Sequence, residues 1–288
     1  MFLLWCSFSL AAAVAAEIVP NELPPLVFPF SSAQAKDAQE SLAQSLGYPV
    51  METNALGMEL VLIPPGTFTM GSQTTEKARA DDEDPVEVTL TKPFWLGKTE
   101  VTQGQWEHVM GTSPWKGEKY VNEDPKNAVS WVSWKMAQQF VESLSNREGV
   151  TYRLPTEAEW EWSCRAGTSS SFSIGENEAV STHHRWYWPF CGSGTGKREL
   201  YAHPVGGTPA NPFGLNDMHG NVYEWCADSY FDKLPGGTNP LVMTVSDFRV
   251  VRGGSWSYNP QDCSSADRGR LKLDYRCGVT GFRVLRTQ

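Results

Sequence analysis

Cationic residues are in short supply: Lys and Arg number 24 against 33 Asp and Glu, for a net charge of -9. That balance excludes a sequence-independent grip on nucleic acid or attraction to an anionic membrane, and no nucleic-acid partner is expected. Beyond residue 16 no apolar run approaches the roughly 20 residues that cross a bilayer, so no transmembrane segment is expected in the mature chain. Histidine is scarce, at 5. His183 and His184 are adjacent and would point apart on any regular element, and no Cys-x-x-Cys pair occurs, which leaves no zinc pattern. The run Gly253-Gly254-Ser255-Trp256-Ser257 ends in Ser and is not a nucleophile elbow. Residues 192–197 hint at a phosphate loop, but Cys191 stands where its first Gly belongs and Arg198 where Ser or Thr would hold magnesium, so this is a surface loop. The acidic residues 81–84 lack the turn glycine and ligand spacing of a calcium loop and read as solvated.

What is present starts with an uncharged apolar stretch over residues 1–16, ending in Val14-Ala15-Ala16, which reads as a secretory signal peptide and predicts an exported protein, periplasmic or secreted. Cys6 leaves with it, and the mature chain keeps Cys164, Cys191, Cys226, Cys263 and Cys277. An odd number in an oxidising compartment leaves at least one thiol outside any intrachain disulfide. A bridge from Cys226 to Cys263 is one pairing the order allows; the pairing as a whole stays open.

Residues 17–50 form a Pro-rich linker followed by a short helix over 32–46, where Ala35, Ala38, Leu42 and Leu46 recur at helical spacing and Ser31 or Ser32 caps the start. From residue 51 to 288 composition does not break, and one domain is expected, with 40% apolar residues to fill its core. Residues 60–63 and 67–71, around Pro64-Pro65-Gly66, predict a hairpin. Three short helices follow. One opens on Thr102-Gln103-Gly104-Gln105, one covers 132–144, and one opens on Thr156-Glu157-Ala158-Glu159; the first and third of these starts are capping boxes. Beyond Gly167 the chain is dense in Gly, Pro, Ser and Asn, and with 12 Trp overall it predicts a loop-rich α+β domain held by aromatic side chains whose polar tips find local partners.

Three stretches carry a resemblance: Arg153-Leu154-Pro155-Thr156-Glu157-Ala158-Glu159-Trp160, Gly214-Leu215-Asn216-Asp217-Met218-His219-Gly220-Asn221-Val222-Tyr223-Glu224-Trp225, and Arg252-Gly253-Gly254-Ser255-Trp256 with Gly281-Phe282-Arg283. In this order they resemble the sulfatase-modifying-factor family, the formylglycine-generating enzymes, over roughly residues 52 to 286. The resemblance implies that family's variant of the C-type lectin-like fold. It also implies a calcium site from the side chains of Asp217 and Glu224 with the carbonyls of Gly220 and Val222, an all-oxygen set that suits a hard cation. The family's other calcium site would fall in residues 186–203, which lack matching acids, and it is not carried over.

In the oxidases of this family two cysteines after Gly-Gly-Ser bind copper(I) and convert a sulfatase cysteine to formylglycine. The second falls on Cys263, but the first falls on Tyr258, whose hard phenol oxygen is a poor ligand for a soft ion. Cys263 and Ser255 are therefore the candidate catalytic residues of an incomplete pair, with Tyr223 beside them. The other reading is a non-catalytic lectin-like module in which Tyr223, Trp256, Tyr258, Arg268 and Arg270 bind a polypeptide, possibly a sulfatase, or a glycan.

Overall fold

The computed structural model describes residues 25–76, 79–173 and 200–287. The expected signal peptide, the linker before residue 25, His183, His184, Cys191 and the glycine-rich loop at 192–197 lie outside the described residues. Among the described residues the helices are α1 (Ser32–Leu46), α2 (Gln103–Met110), α3 (Trp134–Glu148) and α4 (Glu157–Arg165). Their starts follow from side-chain chemistry. Ser31, Thr102 and Thr156 each accept from the backbone three residues on, and Gln34, Gln105 and Glu159 reach back to the cap amide. Gly47, Gly111 and Gly149 end α1, α2 and α3 in the left-handed region, where the absence of Cβ removes the steric cost.

Among the described residues the strands form three sheets. One runs β2 (Met51–Thr53), β3 (Glu59–Ile63), β6 (Phe94–Gly97), β13 (Leu285–Arg286), β7 (Tyr152–Arg153), so the C-terminus is stitched into the N-terminal half. A second runs β1 (Leu26–Val27), β4 (Gly66–Met70), β5 (Val86–Leu90), β9 (Gly237–Thr238). The third runs β11 (Arg268–Lys272), β10 (Phe248–Arg252), β8 (Tyr223–Ser229), β12 (Thr280–Gly281) and carries the site described below.

The hairpin expected around Pro64-Pro65-Gly66 does not form: β3 pairs with β2 and β6, while β4 pairs with β5 and β1. The two prolines cannot donate to a ladder. Trp162 then separates the strands, its Nε1 donating to the Pro64 carbonyl at 3.0 Å and its ring packed so close to Gly66 that a Cβ there would meet it at 2.5 Å. Leu26 and Val27, at the end of the stretch read as linker, pair in parallel with Gly66 and Thr67. Just beyond, Gln39 of α1 is buried and donates to the Leu62 and Phe213 carbonyls, which clamps the helix onto the domain.

The core is aromatic. Trp95, Trp106, Trp115, Trp160, Trp162 and Trp225 are fully buried. Burying a single large apolar side chain stabilises by about 1.5–3 kcal/mol, so these rings carry much of the cohesion of a domain with short strands. Indole N–H groups among them find partners in the Thr112 hydroxyl, the Glu224 carboxylate and the Pro64 and Val132 carbonyls.

Candidate functional site

Every residue of α4 is buried, although five of its nine carry charge or a polar group. Such a helix is tolerable only if each charge is answered. Glu161 accepts from the Gly71 amide and from Arg165, and it pairs with Arg252 at the end of β10. The two Nη groups of Arg252 also donate to the carbonyls of Ser265, Ala266 and Asp267, and the guanidinium lies over the Trp160 ring. The guanidinium therefore fixes residues 265–267 from below.

Gly253 and Gly254 follow, at φ +90° and +69°. Here glycine is required: a Cβ on Gly254 would lie 2.2 Å from Cys263 Sγ and 2.6 Å from the Asp262 carbonyl. Cys263, closing the 3-10 turn Pro260–Cys263, is thus pressed against the Gly-Gly backbone and fully buried. Ser255 is buried as well, its hydroxyl accepting from the Ser257 amide. Tyr223, at the start of β8, meets Tyr258 edge to face at 5.0 Å and donates to Asp267 at 3.4 Å. Burial raises the Tyr223 phenol far above its ordinary value and also raises that of Tyr258, with Cys277, Asp262 and Tyr275 adding to the latter. Burial, with Glu83 and Asp262 nearby and Arg252 opposing them, pushes Asp267 up to about 7.

Outward from this pair the surface is aromatic. Tyr258, Tyr275 and Tyr120 are 40%, 50% and 56% exposed, and Tyr120 packs on Trp256 at 6.1 Å. Trp256 donates to the Gly278 carbonyl, the Trp131 amide to that of Cys277, and Arg276 to the Pro114 carbonyl and Glu118, so residues 275–278 are braced from both sides. No sequence signal points to Tyr120, because it comes from a loop more than a hundred residues away.

Arg268 and Arg270 are not part of this face. Alternation along β11 turns Gly269 toward Tyr223, where a Cβ on the glycine would lie 3.4 Å from the ring, and sends both arginines to the other side of the sheet, where they lie over Tyr230 at 5.0 and 4.8 Å. Arg268 is committed there to Glu157 in a two-point pair at 2.7 and 3.0 Å, with further bonds to the Asp82 and Phe231 carbonyls. The nearby loop expected to be solvated is only partly so: Glu83 is buried and its carbonyl accepts from the Ser72 amide.

No disulfide joins two of the described cysteines, Cys226 and Cys263 included. Cys226 lies on β8 within the core, and Cys164 on α4 is buried, its thiol pushed up to about 12 by burial. Cys277 is half-buried.

The four residues of the implied calcium site lie on the segment that leads into β8, with Glu224 directly after Tyr223. Asp217 accepts from the Gly206 amide and from the Thr208 amide and hydroxyl. Glu224 accepts from Arg283 at both oxygens, at 2.6 and 2.7 Å, and from Trp160 at 2.8 Å. A third carboxyl, Glu100, is buried beside them. One of its oxygens accepts from Asn221 and the other has no partner, and burial, with Asp217 close, raises its pKa well above the ordinary value. Arg283 is legible in the sequence only as part of a motif, with no role attached.

Residues 48–288 match the sulfatase-modifying factor enzyme 1-like domain. The chain belongs to the sulfatase-modifying factor family. The serine/threonine-protein kinase pkn1 of Chlamydia caviae is 32% identical over 246 residues, which cover 78% of this chain and 37% of the kinase. The formylglycine-generating enzyme of Mus musculus is 27% identical over 276 residues, covering 78% of this chain and 74% of the enzyme. In space, PvdO from Pseudomonas aeruginosa superposes with a TM-score of 0.75 at 28% identity, over 83% of this chain and 98% of PvdO. The chain spans little more than a third of the kinase it matches, so only the shared domain is compared. The α+β layout is the formylglycine-generating-enzyme variant of the C-type lectin-like fold. No helix among the described residues is long and apolar enough to cross a membrane.

The copper site of the family's oxidases does not fit the residues present. At the two positions to which the sequence resemblance would assign the oxidases' cysteines stand one buried thiol, Cys263, and the Tyr258 phenol, whose pKa is raised rather than lowered. A protonated oxygen beside one sulfur is not a soft two-sulfur donor set.

Proposed function

We propose that this member of the sulfatase-modifying factor family is an exported polypeptide-recognition module that keeps the substrate face of the scaffold and not its copper-dependent oxidation of a sulfatase cysteine. The observation that carries the reading is Tyr258. It stands where the resemblance places the first active-site cysteine, packs edge to face on Tyr223, and is one of three half-exposed tyrosines over a braced floor. Tyrosine supplies contact area with few torsions to freeze and a hydroxyl for hydrogen bonding, which suits binding to extended peptide. The buried Cys263 and Ser255 then act as packing for the Gly253-Gly254 turn. The apolar residues 1–16 support export.

The test uses a sulfatase-derived peptide in cysteine and serine forms. Both forms are expected to bind alike, since no metal-thiolate bond selects the cysteine, and Tyr258→Ala is expected to weaken both. With copper, oxygen and a reductant present, no aldehyde is expected on the cysteine form. Aldehyde formation, or absence of binding by both forms, would sink the reading. Retention of a glycan in place of both peptides would favour the lectin-like alternative.

A further inference from the structure

One of the two side chains that the family resemblance assigns to calcium, Glu224, is met by a cation of the chain itself. Calcium takes six to eight oxygens at about 2.3–2.6 Å, gathered from carboxylates and carbonyls on separate segments. The Arg283 guanidinium gathers just such a set. Its Nε and one Nη donate to the two oxygens of Glu224, the same Nη donates to the Asn216 carbonyl at 3.0 Å, and the other Nη donates to the carbonyls of Gly97 and Lys98 at 2.9 and 3.2 Å. Arginine has five N–H donors and all five are used. They tie the end of β6, the 216 loop and β8 into one node, which is the mechanical task a structural cation performs.

The remaining implied side-chain ligand is also taken. Both oxygens of Asp217 face donors: Oδ1 accepts from the Thr208 amide and hydroxyl, and Oδ2 from the Gly206 amide. A divalent ion at Glu224 would lie against a guanidinium nitrogen 2.6 Å from the same carboxylate oxygen. Two positive groups that close, inside a buried node, repel strongly. The arginine is buried on every side and cannot swing away.

We propose that Arg283 is the resident cation of this node and leaves calcium no place at Glu224, so that the domain folds independently of calcium. The inference does not rest on what the tyrosine face binds. Two buried oxygens of this neighbourhood have no hydrogen-bond partner, one on Glu100 and the side-chain oxygen of Asn216; both would speak for an added ion, and the experiment addresses them directly.

The experiment measures thermal unfolding and metal content of the full chain after chelation with EGTA and after readdition of calcium. An ion bound at a hundred times its dissociation constant would raise Tm by about 5 to 10 °C in a chain of this size. For the parent, the expected shift between chelator and calcium is nil, with no calcium retained; Glu100→Gln is expected to behave the same way. In Arg283→Met the Glu224 carboxylate loses its partner, and calcium is expected to restore part of the lost Tm. A parent that loses several degrees in EGTA, or that carries stoichiometric calcium through chelation, overturns the proposal. That readout holds even where Arg283→Met fails to fold.

Discussion

Gly254→Ala isolates the contact that seats Cys263. The added methyl would meet three atoms: Cys263 Sγ at 2.2 Å, the Asp262 carbonyl oxygen at 2.6 Å and Cys263 Cα at 2.9 Å. Two of the three are backbone, so rotation of a side chain cannot relieve the clash. The residue also sits at φ +69°, where an L-residue pays about 1–2 kcal/mol. Overpacking in a dense interior adds about 1–3 kcal/mol, for a combined loss of about 2–5 kcal/mol. Gly111→Ala provides the control. It has φ +64° and nothing within 4 Å of the methyl it would gain, so it carries the backbone cost alone. Equilibrium urea unfolding of both variants, compared at unchanged slope, reads the difference. A Gly254→Ala variant that loses no more stability than Gly111→Ala would show that the added methyl meets no rigid wall at Cys263.

Three further outcomes are expected. Asp267 titrates near 7 in the fold against an unfolded value of 3.8, so its protonated form favours folding below about pH 4 and that contribution is lost as pH rises through 7. Asp267→Asn should therefore flatten the stability profile over this window, by an upper limit of about 4 kcal/mol from the shift, and a profile parallel to the parent's contradicts the assignment. Arg268→Ala breaks a pair whose side chains are both 1% exposed and should cost about 3–5 kcal/mol, whereas Arg270→Ala, facing an 83% exposed Asp232, should cost under about 1 kcal/mol; equal losses by urea unfolding would refute the division of the two arginines. Mass spectrometry after alkylation of native protein should find Cys277 labelled before Cys164, Cys226 and Cys263, and native labelling of Cys263 as fast as Cys277 would show that its seat is open.

Local chemistry is readable from sequence where it is self-contained. The Thr102 and Thr156 capping boxes are in place because each needs only four consecutive residues. The indole partners are foreseeable in kind, though not by name. The hairpin expected across Pro64-Pro65 fails because Trp162, which holds β3 and β4 apart, lies about a hundred positions along the chain. Nearness in sequence groups Arg268 and Arg270 with Tyr258, but strand alternation sends them across the sheet. Asp217 and Glu224 are recognisable as a converging pair, and they do lie in one buried neighbourhood. Nothing in the sequence discloses that Arg283 reaches Glu224 from 59 positions away, because a guanidinium's reach depends on which strands are neighbours.

In the function proposed above, Tyr258 leaves one sulfur where the oxidases have two. Competitive titration with a chromophoric cuprous chelator measures this directly on the parent and on Tyr258→Cys. No competitive binding is expected of the parent, and a gain of cuprous affinity is expected of the variant; a parent that strips copper(I) from the chelator as well as the variant does would contradict the proposed function.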